Sequence, residues 1–272
     1  MQEIINYFNH IPSLHRALIM AGGITFFWML ETAAPLFKFG YNKWKHASLN
    51  LFFTLTTIIV NFGFAILIVL ASEFCKQQQW GTWYWIKTPL WLSMIIGLLV
   101  LDMVGAYLIH LIQHKVKWMW RFHMVHHADT CVDTTTANRH HPGESVFRAV
   151  FTIIAVIISG APIWLVMLYQ SLSVILSQFN HANIRLPGHV DRLLRLVIVT
   201  PGMHRIHHHY IRPETDCNYG NIFSFWDRLF GTYIHTENEK LHYGLDVLEG
   251  RDVTAFKEQL KLPFDTSVKT DH

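Results

Sequence analysis

Four long apolar stretches constrain this chain most, because segments of this length are more stable in lipid than in water. Three approach the roughly 20 residues that a helix needs to cross a bilayer, and they cover residues 17–37, 49–71 and 89–112. The fourth, residues 146–180, is too long for one crossing and is interrupted by Gly160-Ala161-Pro162, where proline ends or kinks a helix. We therefore predict an all-α integral membrane bundle of three passes followed by a membrane hairpin.

The composition supports a lipid environment and excludes several other classes of protein. Apolar residues make up 51% of the chain and charged residues only 15%, against roughly 25% charged in soluble domains. The net charge of +3 comes from scattered residues, so the clustered basic surface typical of nucleic-acid binding is not expected. Three distant cysteines argue against a disulfide framework and against a cysteine zinc site.

The charges between the passes predict the orientation of the bundle. Lys38, Lys43 and Lys45 lie between the first two passes, and five more cations follow the third. These regions belong on the cytoplasmic side by the positive-inside rule, so the sparsely charged loop 72–88 lies opposite. Because the hairpin leaves and returns, the later chain is expected back on the cytoplasmic side, where we predict a histidine-rich cap.

Histidines are the second dominant feature, and their spacing matters more than their number. Of 19 histidines, seven lie between positions 110 and 141 and six between 181 and 209. Residues at i, i+3 and i+4 share a helix face and can direct their side chains to one region. Three segments have this spacing, and they predict eight metal ligands: His110 and His114; His123, His126 and His127; His204, His207 and His208. His181, returned by the hairpin, is predicted to be a ninth.

The ligand count indicates two ions rather than one. A structural zinc takes four ligands and commonly uses cysteine, so eight or nine imidazoles suit two ions with four or five ligands each. Imidazole accepts zinc, copper, iron or nickel, and the spacing alone does not select among them. Two redox ions above an apolar bundle would suit activation of O2 against an apolar substrate.

Several motifs, taken in order, resemble those of the fatty acid hydroxylase/sterol desaturase superfamily, in its bacterial-type branch. The resemblance covers residues 102–233 and rests on HLIQH (110–114), WRFHMVHH (120–127), RHHPGE (139–144), NHANIRLPG (180–188), TPGMHRIHHH (200–209) and DCNYGNIFSFWDRLFGTY (216–233). It implies one membrane-embedded domain over residues 1–272, with residues 102–233 as its metal-binding catalytic core. Leu111 stands where the family often has arginine, which leaves the ligands of the first motif intact.

The resemblance also implies the chemistry. The family's metal ligands correspond to the eight spaced histidines, with His181 as the additional one. We expect two iron ions, which zinc can replace, with O2 as co-substrate and a lipid as substrate. We expect no nucleic-acid partner, and electrons from a separate protein of the ferredoxin or cytochrome b5 type. The protein is expected in a bacterial inner membrane, or in the endoplasmic reticulum if it is eukaryotic.

Other polar residues are predicted to support the ligands rather than bind metal. Asp102 lies inside a membrane pass, where a carboxylate is expensive and usually functional, and it could orient a ligand imidazole or make a contact between helices. The remaining supporting candidates are Asp129, Asp133, His140, His141, Glu144, His209, Asp216 and Asn218. We expect four further aromatic residues in an interfacial belt: Trp118, Trp120, Trp226 and Tyr233.

Two other functions are compatible with the same residues. A desaturase would remove two hydrogens from a lipid at the same metal centre instead of inserting oxygen. A membrane metal transporter or sensor would also carry histidines, but transporters tend to place polar ligands midway through their passes, whereas here they gather at one end. The sequence therefore favours a lipid hydroxylase, with hydroxylation against desaturation left open, and it does not identify the lipid.

Overall fold

The computed structural model describes residues 1–236 and 241–270, and within these ranges it contains helices and isolated β-bridges but no β-strand. The α-helices are α1 (Gln2–Asn9), α2 (Ser13–Ala33), α3 (Lys43–Gln78), α4 (Thr82–Trp85), α5 (Leu90–Asp102), α6 (Ile109–Lys115), α7 (Lys117–His127), α8 (Pro142–Ser159), α9 (Ile163–His181), α10 (Gly188–Leu194), α11 (Pro201–His207), α12 (Phe225–Leu229) and α13 (Phe256–Lys261). A π-helical turn, Met103–Leu108, joins α5 to α6.

Five helical segments are long and apolar enough to cross a membrane, which confirms the predicted three passes and hairpin. They are Ser13–Ala33, Lys43–Trp85, Leu90–Lys115, Pro142–Ser159 and Ile163–His181. The predicted bounds of the first pass were wrong, since α2 begins four residues before position 17 and ends before position 37. Pro35 explains the earlier end, because the residue before a proline is disfavoured in the helical region.

The hairpin turn reaches the far end of the bundle. Gly160 ends α8 in the left-handed conformation, with φ of 65°, and it lies directly against Gly81, which has φ of 98°. Both positions require glycine, because a Cβ atom on either would overlap the backbone of the other loop. Since α9 has 19 residues, it spans about 28 Å, and the hairpin crosses the bundle completely.

The apolar core lies between the third pass and the hairpin, directly below the histidines. Leu101 and Val104 of the third pass pack with Ala155 of α8 and with Trp164 and Leu165 of α9. The outer surfaces of α2 and α3 are different, because large apolar side chains such as Phe62 and Ile59 are exposed there. An exposed apolar surface of this kind is what lipid contact requires.

Two short helices carry the histidine triplets across the end of the bundle. Helix α11 begins at Pro201, which is tolerated in the first turn, and the Thr200 hydroxyl caps it by accepting a hydrogen bond from Met203 N at 3.3 Å. Helix α7 ends at His127, and His208 is the C-cap of α11. Both triplets therefore lie at the C-terminal ends of their helices. These two ends contact each other through the histidine rings.

Candidate metal centre

The structure brings all nine predicted histidines together in two neighbouring buried groups. Within each group, one ligand nitrogen per residue lies within 4.8 Å of every other, an arrangement that could hold a metal ion. The five-histidine group consists of His110, His114, His123, His127 and His207. The four-histidine group consists of His126, His181, His204 and His208.

The two groups divide each triplet in the same way, which the spacing alone does not reveal. In α7, His123 and His127 belong to the five-histidine group, while His126 belongs to the other. In α11 the assignment is reversed. His204 and the C-cap residue His208 belong to the four-histidine group, and His207 belongs to the five-histidine group. The i and i+4 residues thus share one group, and the i+3 residue reaches the second. The two groups are consequently built as one unit.

The Nε2 atoms converge on the centre of each group. His181 Nε2 lies 3.2 Å from His126 Nε2, 3.1 Å from His204 Nε2 and 3.2 Å from His208 Nε2. In the other group, His127 Nε2 and His207 Nε2 are buried and have no hydrogen-bond partner among the described residues. Buried polar atoms are normally paired, so converging lone pairs at this density fit two cations, one in each group.

Most imidazoles of the five-histidine group are oriented through their other nitrogen. His110 Nδ1 donates to Tyr219 O at 2.8 Å, and His207 Nδ1 donates to Cys217 O at 2.6 Å. Two carboxylates, Glu144 and Asp216, each orient one further ring of this group. An Nδ1–H donated to an acceptor fixes the tautomer and leaves the Nε2 lone pair for a metal.

Two predicted supporting residues contact this group directly. Glu144 is fully buried, and its Oε1 accepts from His123 Nδ1 at 2.8 Å. Asp216 Oδ1 lies 3.2 Å from His114 Nδ1, while its Oδ2 binds Lys115 Nζ at 2.8 Å. Both carboxylates therefore stand where they can raise the basicity of a metal-binding imidazole.

Burial keeps the triplet imidazoles neutral. Desolvation lowers the pKa of His126, His127 and His204 well below 6.5, and the neighbouring imidazoles lower it further. The same desolvation lowers the pKa of His207 to about 3. A metal ligand must be the neutral imidazole, and these residues have that form at neutral pH.

Asp102 makes a contact between chain segments and not a contact with a ligand. Its carboxylate accepts hydrogen bonds from Ile222 N at 3.3 Å, Phe223 N at 3.2 Å and Trp226 Nε1 at 3.0 Å. It precedes His110 by eight residues, which is about 12 Å along a helix, and a carboxylate cannot reach that far. Of the two roles left open, the structure shows the polar contact.

Asn218 also positions backbone, through Met203 O at 3.0 Å and Ile234 at both of its backbone groups. Asp129 and Asp133 lie in a separate buried network, in which both carboxylates contact His46 at 2.9 Å and 3.2 Å. That network ties the loop after α7 to the start of α3. The hydrogen bonds of these three side chains thus go to backbone groups and to residues outside the two histidine groups.

The remaining predicted histidines lie at the edge of the centre or outside it. The His140 ring lies 5.0 Å from that of His126, and burial lowers the pKa of His140 to about 3. His141 caps α8, because its Nδ1 accepts from Gly143 N at 3.0 Å. His209 belongs to neither group, and its Nδ1 lies against the backbone of Ile211.

The predicted aromatic belt was wrong for two of its members. Trp120 and Trp226 are buried, because Trp120 packs 4.7 Å from the His114 ring and Trp226 donates to Asp102. Trp118 is exposed, as a belt residue should be.

The carbonyl groups of residues 217 and 219 were not predicted to orient histidine rings. A backbone carbonyl is present in every residue, so no residue type indicates this role.

The π-helical turn was also missed. It directly precedes His110 in a pass that the hydrophobic pattern predicts as a continuous helix. Such single π turns are often found at functional sites. Here the turn immediately precedes α6, the helix that carries His110 and His114.

A small cavity borders the four-histidine group. Its volume is about 10 Å³, which is room for a single water-sized molecule. The lining includes three histidines of that group together with Asn180, Arg205 and Tyr243.

Comparison with known proteins agrees with this geometry. The family model described as fatty acid hydroxylase matches residues 94–232, which is half of the chain and includes all nine histidines. The chain belongs to the fatty acid hydroxylase family. No solved structure matches it significantly.

Several curated proteins are similar over part of their length. Ornithine lipid hydroxylase OlsE of Rhizobium tropici is 27% identical over 65% of this chain and 51% of its own. Alkylglycerol monooxygenase of Homo sapiens is 31% identical over 59% of this chain and 34% of its own. A cholesterol 25-hydroxylase-like protein of Danio rerio is 30% identical over 57% of this chain and 64% of its own. The chain thus spans about half of the first relative, about a third of the second and less than two thirds of the third.

Proposed function

We propose that this protein is a membrane-embedded oxygenase that hydroxylates a C–H bond of a lipid. The observation that carries the proposal is the pair of adjacent, all-histidine groups at one end of an apolar helical bundle. Family membership supports it, since the similar curated proteins are named hydroxylases or monooxygenases. We assign the catalytic core to residues 102–233 within a single membrane-embedded domain.

The nine histidines would hold two iron ions, five ligands on one and four on the other. Such a pair supplies O2 reduction: one oxygen atom enters a C–H bond, the other leaves as water, and two electrons and two protons are consumed. The protein's own part is to hold the rings through Glu144, Asp216 and two carbonyl groups. All nine histidines are buried, and zinc could replace iron because imidazole sites favour it.

The substrate is proposed to be a lipid with an apolar chain or ring system. The three relatives are named for an ornithine lipid, an alkylglycerol and cholesterol. In this chain, the core below the histidines is formed by apolar residues of the third pass and the hairpin. A lipid that stays in the bilayer could therefore reach the centre from below.

We further propose that the histidine end faces the cytoplasm, of a bacterial inner membrane or of the endoplasmic reticulum. There it would meet a separate electron donor of the ferredoxin or cytochrome b5 type. Reporter tags after Lys43 and His141 should report the cytoplasmic side, and a tag near Gln78 the opposite side. Opposite reports from the tags after Lys43 and His141 would contradict this topology.

The function is tested by lipid analysis of cells with and without the gene, grown under 18O2. We expect one lipid class to gain one 18O atom in the expressing cells and not in cells expressing His208→Ala. A product that lacks two hydrogens and carries no 18O would identify a desaturase. Unchanged lipids together with altered cellular metal content would instead support a metal transporter and contradict the proposal.

A further inference from the structure

The chain after α10 carries an unexpected apolar surface that the membrane passes do not account for. Leu193 and Leu229 are both 67% exposed. Leu196, Val197 and Phe230 are also exposed. The two stretches adjoin, because Ser224 N donates to Val197 O at 3.0 Å. We call the five exposed side chains the lateral patch. Large exposed apolar patches usually mark a contact surface for a partner or a membrane.

The depth of this region follows from Asp102. The distance from Leu90 to His110 is 20 residues, about 30 Å, which equals the hydrocarbon thickness of a bilayer. Asp102 is then about 12 Å below the histidine end. Because its carboxylate binds Ile222 N, Phe223 N and Trp226 Nε1, residues 222–226 lie at the same depth against the third pass.

Aromatic contacts place the end of α12 beside the third pass as well. The Phe230 ring stacks on Tyr107 at 5.2 Å with 22° between the planes. Leu99 and Met103, both deeper than Tyr107, pack against the cluster that contains Trp226. The lateral patch therefore adjoins the third pass.

The backbone of this segment is satisfied in the way that lipid depth demands. Non-helical backbone within a bilayer requires protein partners for its polar groups. Asp102 accepts from the amides of residues 222 and 223, and Asp227 accepts from Tyr219 N at 2.7 Å and Gly220 N at 3.0 Å. The carbonyl of Ile222 accepts from Val199 N, and that of Asn221 from Asn180 Nδ2.

The nearby cations are arranged so that lipid contact remains possible. Arg228 donates to Ser224 O at 3.2 Å and Arg195 O at 2.9 Å, and its guanidinium stacks over Tyr233. Arg195 pairs with Asp191 at 3.6 Å. Arginine side chains whose donors are taken up by carbonyls and a carboxylate of the protein in this way are compatible with lipid contact by the neighbouring apolar residues.

We infer that residues 193–197 and 222–230 form a re-entrant element whose lateral patch is covered by the acyl chains of the bilayer. The region is therefore part of the membrane-embedded surface and not of a water-facing cap. The carbonyl of Tyr219, three residues before the second stretch, accepts from His110, so the element also lies close to the metal centre. The inference depends on the membrane passes and not on the reaction catalysed.

The inference can be tested with a fluorophore attached to the lateral patch of the 272-residue chain. Leu229→Cys is labelled with NBD in a Cys131→Ser background, since Cys75 and Cys217 are buried. Phe62→Cys, on the exposed face of α3, is the lipid-facing control, and Glu258→Cys, an exposed charged position on α13, is the water-facing control. Leu196→Cys is a second patch position, in case the Leu229 variant does not fold.

The labelled proteins are reconstituted in phosphatidylcholine vesicles with a spin label on the headgroup, the upper acyl chain or the chain end. We expect blue-shifted emission at both Leu229 and Phe62, with quenching by the upper-acyl label at Leu229 and by the chain-end label at Phe62. We expect little quenching at Glu258. Unshifted emission like that of Glu258, or quenching by the headgroup label alone, would overturn the inference. Blue-shifted emission without lipid quenching would indicate a protein cover, such as a second copy, and would overturn it too.

Discussion

The two histidine groups differ in how their ligands are held. In the five-histidine group, four rings have an Nδ1 partner, namely two carboxylates and two carbonyls. In the four-histidine group, only His181 has one, through Ser177 O at 2.7 Å. The Nδ1 atoms of His126, His204 and His208 are buried without a hydrogen-bond partner among the described residues.

The two groups are therefore not equivalent halves of a symmetric centre. Rings fixed by second-nitrogen hydrogen bonds are preorganised, and such partners contribute substantially to metal affinity. The four-histidine group lacks most of them and also borders the cavity at Asn180 and Arg205. We expect the five-histidine group to retain its ion more firmly and the four-histidine group to exchange its ion more readily.

The largest difference in iron content and turnover is expected between substitutions of two adjacent residues, His208 inside the centre and His209 outside it. His208→Ala removes a ligand of the four-histidine group and should abolish turnover and lower bound iron. His209→Ala removes a side chain that belongs to neither group and should keep its iron. Iron content and product are measured in the same membranes, normalised to protein level. Exchanged behaviour of the two variants would contradict the assignment of His208.

The second prediction separates the groups by their rate of metal loss. The native protein should lose its two ions to a chelator in two phases, with the four-histidine ion lost first. His208→Ala should lack the fast phase, and His207→Ala should lack the slow phase. Stopped-flow absorbance with a chromogenic chelator measures both. A single phase in the native protein, or identical traces for the two variants, would show that the two groups do not differ in how firmly they retain an ion.

A smaller effect is expected from the carboxylate that holds His123. Glu144→Gln weakens the acceptor for His123 Nδ1 and should lower metal affinity at the five-histidine group by about 10- to 100-fold. The fast chelation phase should not change, because Glu144 does not contact the other group's ligand nitrogens. Glu249→Gln, an exposed carboxylate bonded to Tyr210, is the matched control and should alter neither phase.

The effect of pH on stability should be gradual and should not distinguish the groups. Unfolded histidine has a pKa near 6.5, whereas burial lowers that of folded His207 to about 3. Between these values the unfolded chain binds more protons, so the free energy of unfolding falls with decreasing pH. The loss is about 1.4 kcal/mol per pH unit per histidine, and it is absent above pH 6.5. Melting of the metal-free protein in detergent from pH 8 to pH 5 tests it, and constant stability would contradict it.

The sequence predicted the bundle and the nine clustered histidines because hydrophobic length and helical spacing are local properties. Gly160 and Pro162 marked the hairpin turn for the same reason. The division of each triplet between two groups was not predictable, since it depends on how α7 meets α11. The role of Asp102 also depended on a segment 120 residues away in the chain.

The apolar surface at Leu229 was missed because the chain after position 185 has mixed polarity. Its exposed apolar side chains come from two separate stretches, which only the fold brings together. A hydrophobic pattern read along the chain cannot detect such a surface. Likewise, the carbonyls at 217 and 219 act through backbone geometry, which no residue type reports.

Mössbauer spectroscopy of the protein loaded with 57Fe can distinguish two unequal iron sites in one centre. We expect two iron ions per chain and two quadrupole doublets of equal area, because five and four histidines create different environments. In His208→Ala the doublet of the four-histidine site should disappear and the other should remain. One iron per chain with a single doublet, unaffected by His208→Ala, would contradict the account.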